Sequence, residues 1–316
     1  MPKQLAGLRW KPCWVSHMGC LAGCLEYLGL EVSRPWLYGG TGHAFALNMH
    51  EAVCPSGPTR WKTSRLTALG RNLGYETHVL GAWKGEAGFA AQQAEAWSYV
   101  RACIDRNVPC YGWELKAPEF YVIYGYDNVG YYYCGALADD GEGPKPWQDL
   151  GGSEIGVISV RGVQPVRAAP DGKTVKDALA FALRFAERPN EWTFPNYLSG
   201  PAGFALWAES LESGKADRFG QGYNGEVWRE CREMAVEFLK EARARLPGKA
   251  DAAFDEAVAH YTAVRDDLRA VVKLYPFKRD AGGEKVKSPE AAALVRQAGA
   301  AERKGLDSLR GIVAAL

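Results

Sequence analysis

The chain is short of net charge, of cysteine and of long apolar runs, and each shortage closes off a class of protein. Thirty-eight basic against thirty-seven acidic residues leave a formal net charge of +1. That balance offers no basic excess with which a nucleic-acid binder would neutralise phosphates. Eight cysteines in 316 residues fall far below the density of a disulfide scaffold, so reduced thiols packed as small hydrophobes are expected. No apolar run approaches the roughly 18 residues that a membrane span needs. Residues 1–14 also lack an apolar stretch of signal-peptide length, and a cytoplasmic location is the expectation. With 47% hydrophobic and 24% charged residues, the composition is that of globular proteins, which excludes extended disorder, collagen and coiled-coil arrays.

What the chain does contain is unevenly spread. Seven of the eight cysteines, Cys13 to Cys134, and four of the five histidines precede residue 135. From Lys173 onward Ala, Glu, Arg and Leu recur at helical spacing, and of the reactive types only Cys231 and His260 remain. Between these regions Ala168-Ala169-Pro170-Asp171-Gly172 has linker and turn chemistry. Two domains are expected, 1–168 and 173–316.

The first half reads as α+β. Helices are expected at 19–28, closed by Gly29, and at 64–73 and 87–105. Strands rich in Tyr, Val and Ile are expected at 76–80, 108–115, 120–126, 131–137 and 155–160, with a hairpin turn at 127–130. The second half reads as a bundle of four or five helices at 174–186, 203–211, 225–246, 250–274 and 289–316, with a polar loop at 279–287.

Three clusters carry candidate chemistry. Ser16-His17-Met18-Gly19-Cys20 opens the first helix, where unsatisfied N–H groups and the helix dipole favour thiolate. Buried packing explains Cys20 and Cys24 equally well. Tyr38-Gly39-Gly40-Thr41-Gly42-His43 permits close backbone approach and reads as a ligand-lining loop or a structural turn. It is neither a phosphate-binding nor a dinucleotide loop. The spacing of His43, His50 and Cys54 matches no zinc pattern, so no metal is expected. Trp113-Glu114 and Glu119-Phe120-Tyr121 frame a strand start at which a buried glutamate would titrate high. A solvated glutamate at a strand end is the alternative.

Together these segments resemble the papain-like superfamily in its bacterial branch, which includes bacteriocin-processing peptidases and the N-terminal domain of the butirosin-biosynthesis acyltransferase. The resemblance rests on His17-Met18-Gly19-Cys20 leading to Tyr27-Leu28-Gly29 and on residues 30–33 entering the Gly-rich segment 38–45. It rests further on Val108-Pro109, Tyr121-Val122-Ile123-Tyr124-Gly125-Tyr126-Asp127, and Lys145-Pro146-Trp147 before 150–160. The helical half is similar to the domain that follows in butirosin-type proteins, at 200–204, Trp228-Arg229, 238–242 and 274–277. The resemblance implies a papain-like α+β domain followed by an all-α bundle.

For the chemistry, the family histidine falls at Glu119, the family aspartate near Cys134-Gly135, and the family cysteine at 16–18. The expected function is an acyl-transfer or amide-handling enzyme acting on a small molecule or peptide, free or carrier-protein-bound. Cys20 would be the nucleophile, His17 or His43 the base and Glu119 the orienter or acid, with no cofactor. Ser16, Gly40, Thr41, Gly42, Trp113, Glu114 and Tyr121 would line the ligand site. A non-catalytic member that holds a small molecule or peptide is the competing expectation, and paired carboxylate chemistry by Glu114 and Glu119 is a third.

Overall fold

The computed structural model describes residues 2–316. The chain is mixed α and β, with one large antiparallel sheet and a helical C-terminal region. It divides into two compact units, Met1–Val32 with Gly74–Ala168, and Ser33–Leu73 with Ala169–Leu316.

The first unit contains β1 (Lys3–Gln4), α1 (Ser16–Tyr27), β2 (Tyr75–Trp83), α2 (Phe89–Asp105) and β3 (Cys110–Trp113). After these come β4 (Phe120–Tyr126), β5 (Gly130–Gly135), β6 (Ala138–Pro146) and β7 (Val157–Pro165). The sheet order is β2-β7-β3-β4-β5-β6, and β1 pairs with the far end of β4, Gln4 opposite Gly125. Neighbours are antiparallel throughout. Asp127 closes the β4–β5 turn by accepting from the Val129 and Gly130 N–H groups at 2.8 and 3.1 Å. Both helices rest on the sheet. A side chain at Gly162 of β7 would meet Tyr99 and Cys103 of α2, whereas its neighbour Arg161 lies over Phe120, which His17 of α1 also touches. Successive strand residues point to opposite faces, so α1 and α2 cover opposite sides.

Close approach fixes α1 against the segment that precedes it. A Cβ at Gly23 would lie 1.9 Å from the Arg9 carbonyl oxygen, and one at Gly19 2.3 Å from Trp10 Nε1. Only glycine lets residues 9–11 cross the helix at that distance.

The second unit is helical apart from two small ladders, Asn48–His50 with Tyr197–Ser199 and Ala216–Asp217 with Lys285–Val286. Its long helices are Asp171–Glu187, Gly200–Ser213, Arg218–Arg245, Asp251–Leu274 and Pro289–Ala315. A buried ion pair ties two of them, with Arg232 Nε donating to Glu302 Oε2 at 2.8 Å and Nη2 to Oε1 at 2.9 Å.

Residues 33–73 group with this second unit, not with the first as the 1–168 boundary has it. Packing explains the difference. Trp36 lies 5.3 Å from Phe238 and Phe45 5.1 Å from Tyr261, ring to ring. A Cβ at Gly39 would enter the Phe238 ring, and Arg232 Nη1 donates to the Ala44 and Ala46 carbonyls at 2.9 Å each.

Candidate functional site

In the first unit the turn between β3 and β4 delivers Glu119 to the start of α1. Glu114 has φ 59°. Its N–H donates to the Glu119 carbonyl at 2.8 Å, and the Glu119 N–H donates to Ala117 O at 2.7 Å. The Ala117 N–H in turn donates to the Tyr121 hydroxyl at 3.0 Å. This turn presents the Glu119 carboxylate to Ser16, the first residue of α1 and 4% exposed. Ser16 Oγ donates to Glu119 Oε2 at 2.5 Å and accepts the Phe120 N–H at 3.0 Å. Hydroxyl–carboxylate bonds of that length are the strong, charge-assisted kind.

An aromatic wall stands beside the pair. The Phe120 ring lies 5.2 Å from His17, 5.9 Å from Tyr111 and 5.1 Å from Trp113, centroid to centroid. His17 also meets Tyr111 at 5.4 Å. Arg161 of β7 sits directly across from Tyr111 of β3, and its guanidinium carbon is 5.3 Å from the Phe120 centroid and 6.0 Å from that of Tyr111.

Cys20 does not share this setting. It is fully buried, and burial pushes its thiol well above the ordinary value, reinforced by Cys24, Cys13, Cys134 and Glu119. The expected lowering by the helix start is reversed, because Cys20 lies a full turn inside α1. His43 belongs to the second unit. It packs between Tyr38 and Trp61, and burial, aided by the Arg232 charge, pushes it down to about 3, so the ring is neutral.

Gly40, Thr41 and Gly42 also lie in the second unit, at a buried helix end. Thr41 Oγ1 donates to Leu37 O at 2.8 Å. A Cβ at Gly40 would meet Leu73, and one at Gly42, with φ 78°, would meet Phe181. His50 accepts the Ala52 N–H at 3.0 Å. Among the described residues no group of three or more His, Cys, Asp or Glu is arranged to hold a metal ion.

Of the remaining expected residues, Trp113 and Tyr121 flank the Ser16–Glu119 pair, and Tyr121 is buried with its phenol pushed up. Glu114 turns to another partner, accepting from Ser153 Oγ at 2.8 Å, so the two glutamates each hold a different serine. Arg161 and Tyr111 were not expected at a site. The available signal was an arginine inside Val157-Ile158-Ser159-Val160-Arg161-Gly162-Val163, an otherwise apolar strand whose charge needs a reason. Comparison of the chain with protein-family models and with curated proteins finds no match.

Proposed function

We propose that the first unit is a papain-like domain that holds a small molecule or peptide without turning it over. The observation that carries this reading is the hydrogen bond between Ser16 and Glu119, the residues standing where the resemblance calls for cysteine and histidine. The Ser16 proton is committed to a carboxylate, a weak general base unless its pKa is raised toward the working pH. The Phe120 N–H draws on the same oxygen. The expected nucleophile, Cys20, is buried, and burial pushes its thiol well above the ordinary value. Aromatic walls with a few fixed polar groups suit a binding site for a mostly apolar ligand.

A second reading is serine-dependent acyl transfer, with Ser16 as nucleophile and Glu119 as proton acceptor. The short hydroxyl–carboxylate contact at the start of a helix favours it. A panel of ester, thioester and amide substrates separates the two. Turnover equal to background in the wild type, Ser16→Ala and Glu119→Gln supports binding alone. Turnover that both substitutions abolish overturns it in favour of the serine enzyme.

A further inference from the structure

The wall beside Ser16 holds hydrogen-bond donors with nothing to donate to. Arg161 is 8% exposed. Among the described residues neither its Nε nor its Nη1 has a hydrogen-bond partner. The Trp113 indole N–H and the Tyr75 hydroxyl are buried and equally unmatched. These groups share one sheet face by register. Arg161 lies opposite Tyr111 on β3 and opposite Val79 on β2; Trp113 is two residues from Tyr111, and Tyr75 four from Val79. Arg161 and Trp113 both lie against the Phe120 ring. Beside them the face is open to solvent, since Val79 is 41% exposed.

A guanidinium removed from water without an anion is costly, and buried charges are otherwise paired. Stacking on Tyr111 and Phe120 offsets part of that cost but satisfies no N–H. The unmatched groups include the Nε and Nη1 donors of one guanidinium, which point along different edges, and an indole N–H, all of which call for anionic oxygen acceptors.

We propose that Arg161, with Trp113, binds the carboxylate of a small ligand whose apolar or aromatic body lies along Tyr111, Phe120 and His17. The proposal rests on the binding reading above and names the ligand class for that site.

The test uses the full-length protein and hippurate, an aryl acyl carboxylate, in titration calorimetry and thermal-shift assays. Its carboxamide and phenyl phosphate are the comparison probes. Hippurate is expected to bind and the carboxamide to bind at least about tenfold more weakly, as loss of a charged hydrogen bond requires. Phenyl phosphate binding more tightly than hippurate would replace carboxylate by phosphate and overturn the proposal. Arg161→Met is expected to abolish hippurate binding while raising the melting temperature of the free protein, because it removes an unpaired buried charge. A melting temperature lowered by Arg161→Met, or equal binding of hippurate and its carboxamide, overturns the proposal. Neutral ligands that still bind in that event would leave the binding reading standing. Turnover that depends on Ser16 would overturn that reading while leaving the Arg161 site intact.

Discussion

At Cys20 two effects oppose each other. Proximity to a helix start favours thiolate by roughly 0.3–1 kcal/mol, and that influence fades within one turn. Full burial disfavours the charged form more strongly, and burial wins. Iodoacetamide at neutral pH is therefore expected to modify the half-exposed Cys13 and Cys54 first, leaving Cys20 unlabelled in the folded protein. Peptide mapping that finds Cys20 labelled as fast as Cys13 would contradict this.

The same competition makes His43 a source of acid sensitivity. Its folded value, about 3, lies below the ordinary 6.5. The unfolded chain thus binds the extra proton first as pH falls. The contribution of His43 to stability is complete above about 6.5 and is lost between there and about 3, with a slope on the order of 1 kcal/mol per pH unit. Urea melts of the wild type and His43→Gln across that window check it by difference: the variant is expected to lose less stability on acidification. Parallel pH profiles would remove His43 as the cause.

On the scale of elements, α1 depends on two glycines where the chain crosses it. Gly23→Ala must displace the Arg9 backbone, since the new Cβ would sit 1.9 Å from that carbonyl oxygen. Such overpacking costs about 1–3 kcal/mol or more. At Gly29, with φ 69° and open space around its Cβ position, alanine meets only conformational strain, a smaller cost of about 1 kcal/mol. Denaturation midpoints are expected to fall further for Gly23→Ala than for Gly29→Ala; the reverse order would place residues 9–11 elsewhere.

These elements differ in how legible they are. Helix α1 and strand β4 read correctly from an apolar run closed by Gly29 and from Phe120-Tyr121-Val122-Ile123-Tyr124. Strand β6 does not read as a strand because Ala138–Pro146 carries two glycines, two prolines and three acidic residues. As the edge of the sheet, it tolerates what a central strand would not. Ser16 and Glu119 each stand out in the sequence, but their contact does not. It joins residues 103 apart and depends on the β3–β4 turn and on how α1 seats on the sheet.

For the whole molecule, the composition change near residue 170 lies beside one break between the compact units, at Ala168/Ala169. It could not show that 33–73 return to the helical unit, because that grouping comes from packing onto helices some 200 residues later in the chain. A fragment of residues 169–316 would leave the fully buried Arg232 without its Ala44 and Ala46 acceptors and Phe238 without Trp36. Circular dichroism of that fragment is expected to show a broad, weakly cooperative melt, and adding residues 33–73 as a fused segment is expected to sharpen it. A cooperative melt of the fragment alone would show that 33–73 are dispensable to the unit's core.

The central claim is that Ser16, its proton held by Glu119, does not act as a nucleophile. Incubating the full chain with an excess of a fluorophosphonate, which phosphonylates activated serines, and weighing the intact protein tests this most directly. The account predicts an unchanged mass, the same for wild type and Ser16→Ala. A stoichiometric adduct on the wild type that maps to Ser16 and disappears in Ser16→Ala would contradict it and make the pair a catalytic dyad.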